Sequence, residues 1–109
     1  MTQQEIIEAN RLLAEFLGFW ETEETYFYNP YFEKGYKYED MLFSSSWDWI
    51  MAVVQKIEFT EGCEVIISKY LVEIYKDNLC KSVCKIKTSK LDAVYDACIT
   101  FVKWYNDNK

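Results

Sequence analysis

The sequence predicts a single α+β domain over residues 1–109, with three helices packed on a small antiparallel sheet of about three strands. Apolar residues recur at helical spacing near both ends and in the middle of the chain, whereas they alternate with polar residues from Cys63 to about Lys87. A third observation is an aromatic-rich stretch that shows neither helical spacing nor alternation, which predicts an irregular insertion between the first two helices. Helices on one face of the sheet and helices on both faces are each compatible with these patterns.

The first helix is predicted from a capping-box spacing, Thr2 to Glu5, and a stop at Gly18. One face of it is apolar: Ile6, Ala9, Leu13, Phe16 and Leu17. Asn10 falls at the edge of this face, and a hydrogen bond to a neighbouring loop is the interpretation we favour over a ligand contact.

The insertion runs from about residue 20 to residue 43 and interleaves aromatic side chains with acids. Asn29-Pro30 is a turn signal, and Gly35 predicts a turn between two short extended pieces. Its aromatic content predicts an ordered segment lying over the core. A binding surface and a lid that only covers the helices both remain open, because tyrosines suit either role.

The central helix is predicted over Ser44–Phe59, with Ser45 and Asp48 spaced as a capping box. Its apolar arc spans roughly 200°, twice that of an ordinary surface helix, which predicts packing on two partners at once. Trp47 and Trp49 point to different sides, so an alternative is that one of them lines a ligand pocket. Gly62 suits the left-handed conformation that follows a helix.

Three strands and a last helix complete the chain. The first two strands alternate around Val65 and Val72, and Asp77-Asn78 is a better turn candidate than Ser68-Lys69. The third strand is predicted to place Cys80, Cys84 and Ile86 on one face, and Lys81, Lys85 and Lys87 on a solvated face. Ser89 and Asp92 begin the final helix, whose apolar stripe ends near Tyr105.

Composition excludes several kinds of chemistry. The chain has no histidine and no glycine-rich phosphate-binding motif, and its four cysteines form no CxxC pair. We therefore predict no catalytic residue, no metal site and no cofactor. The net charge of −6 is concentrated in residues 1–48, where ten acids face three bases. An acidic chain binds nucleic acid and anionic membranes poorly, so neither is an expected partner.

Three stretches carry a family resemblance: AEFLGFW at 14–20, SSWDWIMAVVQKIE at 45–58 and KLDAVYDACITFVKWYN at 90–106. Together they resemble small uncharacterised proteins of bacteriophages and gut Bacteroidetes, akin to the phage ABA sandwich domain family. The resemblance covers about half of the chain. It implies helix–sheet–helix layering and a phage or prophage origin, and it carries no site residue.

The function predicted from the sequence is that of a non-enzymatic accessory protein that binds another protein or a second copy of itself through the aromatic, acidic 20–43 segment. One alternative is a small-ligand domain or enzyme with a pocket between that segment and the central helix. Another is a nucleic-acid mimic that occupies a DNA-binding protein through the acidic half of the chain. No signal peptide or membrane span is recognisable, so we expect a cytoplasmic protein of a bacterial host. The predicted binding residues are Trp20, Tyr26, Tyr28, Tyr31, Tyr36, Tyr38, Trp47 and Trp49.

Overall fold

The computed structural model describes residues 2–21, 27–29 and 34–108. The helices are α1 (Gln3–Leu17), α2 (Trp47–Phe59) and α3 (Lys90–Asn108), with a short 3-10 helix at Tyr38–Asp40. The strands are β1 (Trp20–Glu21), β2 (Phe27–Asn29), β3 (Lys34–Tyr36), β4 (Cys63–Ile67), β5 (Leu71–Lys76) and β6 (Leu79–Lys85). Three helices and an antiparallel β4–β5–β6 sheet confirm the predicted α+β class.

The β4–β5–β6 meander is covered by helices on one face. Val72 and Ile74 of β5 are fully buried there, beneath α3 on β5 and β6 and α2 on β4. Residues that pair across neighbouring strands share a face of the sheet. The outer face therefore contains Glu73 of β5 and its two partners, Ile66 and Val83. Ile66 and Val83 are exposed. Of the two arrangements compatible with the sequence, the structure has the helices on a single face. The helix–sheet–helix layering that the family resemblance implies is therefore wrong for this sheet, because its outer face is exposed.

A β-bulge in β6 changes the predicted faces of the third strand. Tyr75 pairs with Cys80 and Ile74 pairs with Ser82, so Lys81 is the additional residue. Cys80 is exposed on the outer face with Tyr75 and does not share a face with Cys84, which corrects the prediction. The turn before the bulge lies at Asp77-Asn78 as predicted, with φ of 53° and 68°.

Lys81 also departs from the predicted lysine face. Its ammonium lies 4.8 Å from the centroid of the Trp104 ring of α3, where it makes a cation–π contact. The side chain is half-buried, unlike the exposed Lys85 and Lys87. The bulge therefore directs one of the three lysines onto the helix layer rather than into solvent.

The caps of α1 and α3 are confirmed. The Glu5 N–H donates to Thr2 Oγ1 and the Thr2 N–H donates to Glu5 Oε1, which completes the capping box. Gly18 follows α1 with a φ of 87°, in the left-handed region. At α3 the Asp92 N–H donates to Ser89 Oγ at 3.1 Å.

The start of α2 differs from the prediction. The helix begins at Trp47, and its N-cap Ser46 makes no side-chain capping bond. The carbonyl of Leu42 accepts the N–H groups of Ser45 (3.1 Å) and Ser46 (2.8 Å), so these serines form a turn before the helix. The predicted Ser45–Asp48 capping box does not form because Ser45 lies one residue before the N-cap.

The insertion contains a second small antiparallel sheet, in the order β1–β2–β3. Trp20 is the Cα partner of Tyr28, and Tyr28 is the Cα partner of Gly35. Gly35 thus lies inside a strand, and the predicted turn at this residue is wrong. The reason is backbone pairing: antiparallel pairing with Tyr28 holds Gly35 in an extended strand.

Candidate functional site

Trp49 lies in an aromatic cluster between α2 and the insertion. Its ring meets Phe43 at 5.0 Å and Tyr36 at 4.9 Å between centroids, both edge to face, and Phe19 at 6.3 Å. Such pairs contribute about 0.5–1.5 kcal/mol each beyond area burial. Trp49 is only 5% exposed. The structure therefore places Trp49 in the core and the half-buried Tyr36 against it.

Asn10 fastens the insertion to the helices. Its side-chain amide donates to the carbonyl of Tyr38 at 2.8 Å and to that of Met41 at 3.4 Å. The hydroxyl of Tyr95 donates to Asn10 Oδ1 at 3.4 Å. Burial raises the pKa of Tyr95 to about 12, with a smaller contribution from Asp96, so this hydroxyl keeps its proton. The predicted loop contact of Asn10 is confirmed.

Trp47 has the opposite environment from Trp49. Its side chain is 44% exposed, and Leu42, on the other side of the preceding turn, is 45% exposed. Exposed carboxylates flank both residues in the chain, at Glu39, Asp40 and Asp48. We call these five residues the Trp47 surface. This surface is apolar at two positions and acidic at three, and it lies at the C-terminal end of the aromatic insertion.

The other predicted binding residues fall into three groups. Tyr38 begins the 3-10 helix and is half-buried against the core, with its carbonyl bound by Asn10. Trp20 and Tyr28 form a strand pair in the small sheet. Tyr26 and Tyr31 lie outside the described residues, so their predicted role stays a prediction.

A groove of about 420 Å³ lies between the end of β6 and the start of α3, and neither Trp47 nor Trp49 lines it. The buried Ala93 and Tyr95 form part of its floor. Its remaining lining comes from four parts of the chain: Ile6, Ser44, Cys84, Lys85, Lys87, Thr88, Ser89, Asp92 and Asp96. The predicted pocket was beside the central helix, and this groove was missed because its residues are distant in sequence and form no motif.

Burial raises the pKa of one thiol and one carboxylic acid in the groove. Burial raises the pKa of the Cys84 thiol, as does the carboxylate of Asp96, while Lys87 lowers it. Burial also raises the pKa of Asp96, with a further contribution from Asp92. Cys84 is therefore a protonated thiol at neutral pH, which is unsuited to act as a nucleophile.

The four cysteines are free, and among the described residues no three metal-ligating side chains form a cluster. Burial raises the pKa of the Cys98 thiol to about 12, whereas Cys80 is exposed on the outer face of the sheet. We expect iodoacetamide at pH 8 to alkylate Cys80 first and Cys98 only after unfolding, because Cys80 is accessible to the reagent whereas Cys98 is buried and its raised pKa keeps it a thiol. Peptide mass spectrometry measures the order, and early labelling of Cys98 would contradict the packed core.

Comparison of the chain with protein-family models, curated proteins and solved structures found no match. Over the part of the chain that the structure describes, no helix is both long and apolar enough to cross a membrane.

Proposed function

We propose that the protein is a non-enzymatic accessory module that binds another protein through the Trp47 surface and the adjoining aromatic insertion. Its setting is the cytoplasm of a bacterial host, as a phage- or prophage-type protein, in keeping with the sequence resemblance. The observation that supports the proposal is the exposure of Trp47, because tryptophan is enriched among the residues that dominate interface energies.

The chemistry of the surface indicates the kind of partner. Glu39, Asp40 and Asp48 provide negative charge, and no base lies between residues 38 and 48. A complementary protein offers an apolar pocket for Trp47 with lysine or arginine at its rim. Such a rim would raise the association rate at low salt more than it would change the dissociation rate.

Replacing Trp47 by alanine is expected to weaken partner binding by at least about 30-fold, the effect of a hot-spot residue that contributes 2 kcal/mol or more. Phe59→Ala is the matched control, because Phe59 is 88% exposed at the other end of the same helix. The partner captured from host lysate by the unchanged protein is first identified, and its affinity for each variant is then measured by calorimetry. Equal affinities for the unchanged protein and the Trp47 variant would contradict the proposal.

A further inference from the structure

Strand β6 presents a free edge beside the groove. The N–H of Ile86 donates to the Tyr70 carbonyl at 2.9 Å, so the backbone groups of Ile86 face β5. Successive residues of an antiparallel strand point these groups to opposite sides. Those of Lys85 therefore point away from β5, and the Lys85 carbonyl accepts a weak hydrogen bond from Cys84 Sγ at 3.6 Å, which an incoming strand would replace. Within residues 2–21, 27–29 and 34–108, β6 pairs with β5 alone, which leaves this edge open to a further strand.

The groove also carries charges of both signs. Two lysines line it, Lys85 at the end of β6 and Lys87 two residues beyond. Two carboxylates, Asp92 and Asp96, line it from one face of α3, four residues apart. In the described part of the chain, neither lysine forms a salt bridge with either carboxylate. Asp92 accepts a hydrogen bond from Thr88 Oγ1 at 2.8 Å, which holds it at the helix start.

We propose that this groove binds an extended, mixed-charge peptide segment of another protein, which joins the edge of β6 as an additional strand. Main-chain hydrogen bonds to Lys85 supply the pairing, as in other complexes formed by strand addition. Basic side chains of the peptide meet Asp96, and acidic ones meet Lys87. Apolar side chains between them cover Ala93 and Tyr95 on the groove floor.

The free edge favours a peptide over a compact small molecule, because a peptide uses the backbone groups and the charged walls together. The site shares no residue with the Trp47 surface. Its peptide would thus bind whether or not the Trp47 proposal holds, and Trp47→Ala is expected to leave peptide affinity unchanged.

The test uses a random ten-residue peptide library displayed on ribosomes and selected against the immobilised protein. We expect enriched peptides to alternate apolar residues with residues of both charges. Added to the labelled protein, they should shift the backbone amide signals at Lys85 and Lys87. Absence of enrichment, or shifts confined to another surface, would overturn the proposal.

Charge variants measure the groove contacts. Asp96→Asn and Lys87→Gln are each expected to weaken the selected peptides about two- to fivefold, the effect of one partly exposed ion pair. Asp107→Asn and Lys103→Gln are the matched controls, since both positions are exposed on α3 away from the groove. Equal affinity for the groove variants and their controls would count against binding there.

A backbone variant tests strand addition itself. Proline at position 85 removes an N–H that β5 does not use, and proline is tolerated at such edge positions. Lys85→Pro is expected to weaken binding about two- to tenfold beyond Lys85→Gln, which removes the charge alone. Identical affinities for these two variants would show that no peptide strand pairs with this edge. If the proline variant does not fold, the Asp96→Asn and Lys87→Gln variants and their controls still test whether the peptide binds in the groove.

Discussion

Replacing Trp49 by alanine is expected to lower the free energy of unfolding by about 3–5 kcal/mol, the cost of removing a large buried aromatic side chain. Trp49 is 5% exposed and contacts Phe43, Tyr36 and Phe19, so its removal leaves a cavity where α2 meets the insertion. A loss of this size is a large part of the stability of a small domain. Urea unfolding followed by far-ultraviolet circular dichroism measures it.

Trp47→Ala is the control for this prediction. The two tryptophans lie two residues apart in the same helix, but Trp47 is 44% exposed. We expect its replacement to lower the free energy of unfolding by about 1–2 kcal/mol, less than for Trp49, because nearly half of the Trp47 side chain already contacts solvent. Similar losses for both variants would contradict the assignment of one tryptophan to the core and the other to the surface.

Replacing Asn10 by alanine is expected to lower the free energy of unfolding by about 2–4 kcal/mol. The side chain is fully buried, and its removal takes a hydrogen bond from the Met41 carbonyl and from the Tyr95 hydroxyl. The Tyr38 carbonyl keeps its bond from the Met41 N–H. The same urea measurement applies.

Asn106→Ala is the matched control for Asn10, at an exposed position of α3. Its expected effect is within about 0.5 kcal/mol. A loss at Asn10 no larger than that at Asn106 would contradict its role in fastening the insertion to α1 and α3.

Local signals in the sequence predict much of the fold. Thr2 and Ser89 each stand directly before a helical apolar pattern, and both begin helices because a side-chain cap acts over only three residues. The Asp77-Asn78 turn is predictable for the same reason, since its left-handed conformation favours these residue types. Each of these features is determined by neighbours in the chain.

The errors arise where distant contacts override local pattern. Ser45 and Asp48 have the spacing of a capping box, but packing of Phe43 into the core places a turn there and moves the helix start to Trp47. The bulge at Lys81 cannot be predicted from the alternation of apolar and polar residues along β6. It is defined by the pairing of β6 with β5, which leaves Lys81 without an opposite residue.

The candidate sites were predictable to different degrees. The sequence distinguishes Trp47 from Trp49 by helical angle, but which of them is buried depends on where Phe19 and Phe43 pack. The groove at α3 brings Ile6 and Ser44 together with residues 84–96, and no spacing in the sequence indicates this arrangement.

Hydroxyl-radical footprinting of the two tryptophans, with and without the captured partner, tests the central claim that Trp47 is at the binding surface. In the free protein, we predict rapid oxidation of Trp47 and slow oxidation of Trp49, in line with their exposed fractions of 44% and 5%. Partner binding should slow oxidation of Trp47 and leave Phe59 unprotected at the far end of α2. Unchanged oxidation of Trp47 in the complex would contradict the account.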